Sequence, residues 1–161
     1  MLSLEVIDFN RQNPLAVAAA GLITMSIYPQ KNINAAIERY IIATEDEGYT
    51  SYGLVENNQD LVAAASVVHG EDYEGQISTQ VVDIAVSPDR YKRGYGLKLM
   101  GFIAEQAIRQ GDASIHLFSL DRSKGFYEKL GFSEDMDRHN MMTAQPATVI
   151  AAQYVIADSC A

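Results

Sequence analysis

The chain has 161 residues, enough for one domain with a substantial core. Hydrophobic residues make up 48% and charged residues 20%, a balance that excludes a disordered chain. A formal net charge of −9 argues against a nucleic acid or an anionic membrane as partner and leaves room for a cationic or amine substrate. The one cysteine, Cys160, is penultimate, so no disulfide forms within the chain, and a thiol on a fraying end is a poor catalytic candidate. No charged-then-apolar leader opens the sequence, and the apolar stretch 16–27 is interrupted by Gly21, Thr24 and Ser26 and is too short for a bilayer. A cytoplasmic protein without a membrane partner is expected.

In chain order, residues 2–9 alternate and predict a strand. Asn13-Pro14 follows as a helix cap and first-turn proline, with the helix running to about Tyr28, before Pro29. Ile33, Ile37, Tyr40, Ile41 and Thr44 recur at helical spacing and predict a second helix ending before Gly48. The period then changes. Residues 50–56 and 61–69 are β-rich and joined by Asn57-Asn58-Gln59-Asp60, which predicts a hairpin. Residues 70–75 read as an acidic loop, and 76–86 as a long strand ended by Ser87-Pro88-Asp89.

The segment RYKRGYG, residues 90–96, follows. After it, Leu97, Met100, Gly101, Ala104, Ala107 and Ile108 form an apolar stripe on a helix closed by Gly111. A strand is expected at 114–120, then a helix capped by Asp121, running to about Leu130 and closed by Gly131, with Phe126 and Leu130 on its core face. One or two strands should lie in 132–143. Within 144–161, residues 148–156 are expected to form an edge strand or a segment exchanged with a partner, which favours a dimer through an uncovered strand.

RYKRGYG thus sits between a strand and a helix. A helix N-terminus offers unpaired N–H groups and the positive end of a dipole, and glycine lets a ligand approach the backbone, so the turn suits phosphate. Arg90, Lys92 and Arg93 add attraction for a polyanion. Nothing matches G-x-x-x-x-G-K-[ST], and the dinucleotide fingerprint fails because Leu99 stands at its third glycine. By itself the turn is equally well a helix entry with solvated bases.

A second segment, DRSKGFYEKLGF at 121–132, decides between these. The order VDIAVSPDRYKRGYGLKLM, a strand, then SKGFYEKLGF resembles the GNAT family of acetyl-CoA-dependent N-acetyltransferases, whose loop pattern is [QR]-x-x-G-x-[GA] and whose later helix carries F-Y-x-x-x-G-F. The two signatures span 82–132, and the order of elements before them also fits. The resemblance implies an α/β (α+β) fold with a central mixed, mostly antiparallel sheet of six to seven strands, about four helices, and a splay between the two central strands. It implies a GNAT domain over 1–143, with 144–161 as a C-terminal extension.

It also implies a site. The pantetheine arm of acetyl-CoA would pair with the backbone of Ile84, Ala85 and Val86. The pyrophosphate would sit on N–H groups of Arg93, Gly94, Tyr95, Gly96 and Leu97, with Tyr91 and Lys92 beside it, and Ser123 and Tyr127 would complete the cofactor contacts. Tyr127 would donate a proton to the leaving sulfur, and Asp83 is the candidate base for an amine acceptor. Three positions depart from the family pattern: Tyr91 for Gln or Arg in the loop, Leu120 for a frequent Asn, and Gln80 for a carboxylate used as base in some relatives. The last two keep a non-catalytic CoA-binding module open as an alternative, and a different phosphate ligand is a third reading. Glu71, Asp72 and Glu74 are read as a solvated loop rather than an acidic rim, and His69 and His116 as strand-packing residues rather than bases. No residue spacing predicts a metal site.

Overall fold

The computed structural model describes residues 1–8, 12–27, 32–46 and 48–159. Its elements are β1 (Leu2–Ile7), α1 (Pro14–Ile27), α2 (Ile33–Asp46), β2 (Thr50–Glu56), β3 (Asp60–Glu71), β4 (Ile77–Val86), α3 (Tyr95–Gln110), β5 (Ser114–Phe118), α4 (Lys124–Lys129), β6 (Ser133–Glu134), β7 (Met141–Ala144) and α5 (Pro146–Ser159). The strands form a seven-stranded mixed sheet in the order β1-β2-β3-β4-β5-β7-β6. The β1–β2, β2–β3, β5–β7 and β6–β7 ladders are antiparallel, and β4 and β5 run parallel. The mixed α/β class and the strand count agree with the expectation, and five α-helices replace about four.

The chain divides into two compact units. The first holds Met1–Val68 and Asp83–Leu99. Its core gathers Ile7, Ala16, Ala19, Ala20, Ile23, Ile41, Ala64 and Ala85, with Leu15, Leu22, Ile37, Tyr40 and Leu61 packed against them. Ala16, Ala19 and Ala20 of α1 are fully buried and bring that face of the helix close to its neighbours. The side chain of Asn13 caps α1 through the N–H of Leu15 at 3.1 Å, as expected, and Asn32 caps α2 in the same way through Ala35 at 3.3 Å. The connector between β2 and β3 turns on Asn57 and Asn58 at φ 54° and 63°, the left-handed conformation that asparagine tolerates. The expected β1 end at Phe9, and Tyr28 and Pro29 after α1, lie outside the described residues.

The second unit holds His69–Val82 and Met100–Ala161. Met100, Ile103, Ala104 and Ala107 of α3, Ile115 and Leu117 of β5, and Leu130, Phe132, Met142 and Val149 are buried there. The strand expected at 148–156 is the middle of α5. Pro146 takes the first helical position, and the N–H groups of Thr148 and Val149 donate to the carbonyl of Gln145 at 3.0 and 3.3 Å. Pro146 and Val149 of this helix are buried, whereas Tyr154 and Val155 are about two-thirds exposed at 66% and 68%. α5 lies so close to α3 that a Cβ at Gly101 would collide with the side-chain amide of Gln153. With the strand goes the edge-pairing ground for a dimer. β3 also runs on through Gly70 to Glu71, so the acidic loop is shorter than expected.

Candidate functional site

β4 ends at Val86, and the N–H of Ser87 donates to the carbonyl of Val62 at 2.8 Å, which ties the strand exit to β3. Pro88–Arg90 forms a single 3-10 turn, closed by Arg90 N–H to the Ser87 carbonyl at 2.9 Å. Lys92 and Gly94 then take φ values of 63° and 80°. Left-handed backbone costs a lysine energy and persists only where its surroundings fix it, a condition common at ligand-binding loops. The first helical bond of α3 runs from Lys98 N–H to the carbonyl of Gly94 at 3.0 Å, so Gly94 is the cap. Tyr95, Gly96 and Leu97 occupy the first turn, where N–H groups have no acceptor within the helix. A left-handed residue on either side of Arg93 folds the backbone in the manner of anion-binding nests.

The bases of the loop are not all turned to a ligand. Arg90 lies 3.2 Å from Glu56 Oε2 and 3.0 Å from Asp89 Oδ2, and the hydroxyl of Tyr95 donates to Glu56 Oε1 at 2.8 Å. Arg90 is therefore a strut of the loop and not the phosphate-facing base that the sequence suggested. Glu56, at the end of β2, fastens both ends of RYKRGYG. The Tyr95 hydrogen bond, then the Arg90 and Arg93 charges, hold its carboxyl below the usual range. Lys92 and Arg93 are exposed, as is Tyr91 at 56%. Nothing in the sequence marks Glu56, because its partners lie 34 and 39 positions away.

Of the residues expected along the pantetheine arm, Ala85 is buried in the core, while Ile84 and Val86 are half-buried. The β4–β5 ladder runs from Ser78↔Ser114 to Val81↔Leu117 and stops, although β4 continues to Val86. β5 itself is short and ends at Phe118. Asp83 stands just past the end of that ladder, half-buried. Burial pushes its carboxyl up, and a hydrogen bond from the Tyr40 hydroxyl partly opposes that rise.

In the second unit, Tyr127 is 7% exposed. It packs edge-on against Phe126 and Phe132, with ring centroids 5.1 and 5.7 Å away. Burial pushes the phenol up to about 12, so it stays a neutral donor throughout the working range of pH. α4 buries Tyr127, and Leu130 at its C-cap is buried as expected, whereas Phe126 is 39% exposed, so Tyr127 takes the core position expected of Phe126. α4 is short and entered through a 3-10 turn at Asp121–Ser123. Neither Leu120 nor Ser123 supplies a side-chain cap bond, and Asp121 belongs to the turn instead of capping the helix. Leu120 is half-exposed, and Gln80 is half-buried on β4.

His116 is buried, with Nδ1 3.2 Å from Ser78 Oγ, and burial holds its imidazole neutral to lower pH than usual. His69 Nδ1 lies 3.1 Å from Asp112 Oδ2. Asp72 accepts the N–H groups of Glu74 and Gln76 and closes its own turn. Among the described residues no group of three or more His, Cys, Asp or Glu is placed to hold a metal ion, and no helix is long and apolar enough to cross a membrane.

The glycine turn and the start of α3 lie in the first unit, and the buried tyrosine on the helix after β5 lies in the second. The family model for the acetyltransferase (GNAT) family matches residues 20–132, and the chain belongs to that family. Solved structures with this fold include GCN5 of Tetrahymena, 18% identical, with 89% of this chain and 94% of that one covered at a TM-score of 0.66. An acetyltransferase of Trypanosoma brucei is 19% identical, with coverages of 86% and 96% and a TM-score of 0.65. The AtaTR assembly bound to acetyl-CoA is 13% identical, with coverages of 92% and 95% and a TM-score of 0.65. No curated protein sequence matches the chain.

Proposed function

We propose that this protein transfers an acetyl group from acetyl-CoA to a primary amine, on a small molecule or a peptide, by direct attack in a ternary complex. The observation that carries the reading is the turn before α3, where Gly94 caps the helix and three first-turn N–H groups lack helical acceptors. Such a turn fits a pyrophosphate, with Lys92 left to attract or flank the phosphates and Arg93 beside Tyr95 adding positive charge. The end of β4 at Ile84, Ala85 and Val86, beyond the β4–β5 ladder, suits an added strand-like ligand such as the pantetheine arm.

The chemistry has two proton problems. An alkylammonium has a pKa of roughly 10.4 and must lose a proton before it attacks. Asp83, with a carboxyl raised by burial, suits that step. Attack then forms the C–N bond, and collapse breaks the C–S bond and releases thiolate. Tyr127 stands as the donor to that sulfur. A phenol at about 12 is a weaker acid than a thiol of about 8.5, so its main contribution would be a hydrogen bond that strengthens as charge develops on sulfur. The nitrogen sheds its second proton in the same collapse, and that proton completes the thiol.

Gln80, where some relatives carry a carboxylate base, favours a second reading as a CoA-binding module without turnover. Screening amines and peptides for release of free thiol from acetyl-CoA separates the two. Release with an acceptor supports the enzyme, and tight binding with no release across the screen supports the module. The net charge of −9 favours a cationic acceptor and disfavours a nucleic acid.

A further inference from the structure

Within the first unit, four polar side chains from four elements meet in a line. The hydroxyl of Tyr40 on α2 hydrogen-bonds to Asp83 on β4 and lies 2.7 Å from Ser66 Oγ on β3. Ser66 Oγ in turn lies 2.8 Å from Ser51 Oγ on β2. Ser66 and Ser51 are 0% and 2% exposed, so no bulk water competes for these bonds. The direction of the line follows from its end. An ionised carboxylate only accepts, so Tyr40 donates to Asp83. Its oxygen then accepts from Ser66, and Ser66 accepts from Ser51. Three hydroxyl dipoles point toward one carboxylate and polarise one another.

Burying three hydroxyls among alanines and valines costs energy unless each is paired. A core that needed only packing would be simpler without them. Here the two sealed serines back a half-buried pair, Tyr40 and Asp83, and the line ends on the carboxylate. Burial and Tyr40 are the influences on its carboxyl, and no cation is among them.

We propose that Tyr40, backed by Ser66 and Ser51, is a positioning residue for Asp83, holding one carboxylate oxygen so that the other faces the acceptor amine. The inference rests on the reading of Asp83 as base. In the step itself an N–H bond of the ammonium breaks, its electron pair stays on nitrogen, and an O–H bond forms on the free oxygen of Asp83. The other oxygen keeps accepting from Tyr40, so the line need not reorganise as the proton arrives.

The test compares Tyr40→Phe and Ser66→Ala with the wild type by two readouts. One is the carboxyl titration of Asp83 followed by carbon-13 NMR, and the other is the pH profile of kcat/KM. The titratable groups acting on the pair are Tyr40 from α2 and Tyr49 before β2. Removing the donor takes stabilisation from the ionised form, so in Tyr40→Phe the midpoint rises and the acid limb of the profile moves up with it. Plateau turnover falls by about tenfold or more. Ser66→Ala moves both in the same direction by less, and serves if Tyr40→Phe does not fold. Full turnover in Asp83→Asn would overturn the base reading and this inference with it. A dead Asp83→Asn beside variants whose midpoint and limb stay put would overturn the inference alone.

Discussion

Each unit holds an aspartate away from water, and the two are held in opposite ways. Asp112, after α3, has a fully buried side chain. Its Oδ2 accepts from the Thr79 hydroxyl at 2.5 Å and lies 3.1 Å from His69 Nδ1, and its backbone N–H donates to the carbonyl of Ala107 at 2.9 Å. Two strands and the end of a helix are joined at that carboxylate. Asp83 is half-buried, is met by the single hydroxyl of Tyr40, and stands on the stretch of β4 that β5 does not pair. Asp112 is a structural tie through Oδ2, although its Oδ1 is buried with no partner among the described residues, whereas the half-buried Asp83 keeps an open side. The difference separates a residue that holds the fold from one that can do chemistry.

Substitution of the two should therefore give opposite phenotypes. In Asp83→Asn we expect kcat to fall on the order of 10²–10⁴-fold with the fold intact. Stability should rise at neutral pH. The folded carboxyl is raised above its unfolded value, so the ionised group costs stability above the ordinary carboxylate range, and the cost vanishes in acid. Melting curves at pH 7 and in acid, beside turnover, check both halves. Loss of stability at pH 7 with turnover retained would reverse the roles of the two aspartates. Tyr127→Phe should come next, with kcat down on the order of 10²-fold and acetyl-CoA affinity within about threefold of wild type.

Asp112→Ala should instead cost about 1–3 kcal/mol of stability, because the buried Thr79 hydroxyl loses its acceptor, while the folded fraction keeps its kcat. Chemical denaturation with activity per folded molecule reads this directly. The smallest effect concerns Glu56. Its folded carboxyl is depressed, so the support it gives the loop is present above the ordinary glutamate range and is lost as pH falls through the depressed value. Acetyl-CoA affinity should weaken on that acid side in the wild type and show no such step in Glu56→Gln.

The sequence made the glycine turn, the hairpin at Asn57-Asn58 and the order of elements legible, because each depends on neighbours a few positions apart. Asn13-Pro14 announced α1 for the same reason. The tail was not legible, because Val149-Ile150 and Tyr154-Val155-Ile156 carry strand-forming residues and the helix is set by Pro146 and by close approach to Gly101. The candidate site was legible as far as local motifs reach. Glu56 and the Tyr40–Ser66–Ser51 line are made by residues 15 to 39 positions apart, and a hydroxyl in a strand reads as packing until its partner is placed beside it. The bases misled for a related reason: Arg90 looks like a phosphate ligand until Glu56 claims it.

The proposed cradle depends most on the backbone at Gly94, whose φ of 80° a β-branched residue resists although a Cβ there would meet open space. The direct measurement is a calorimetric titration with acetyl-CoA of the wild type, Gly94→Val and Tyr91→Ala. We expect saturable binding to the wild type, a loss of about tenfold or more in Gly94→Val and a change within about threefold in Tyr91→Ala. No binding by folded wild type, or a larger loss in Tyr91→Ala than in Gly94→Val, would contradict a backbone cradle for the pyrophosphate.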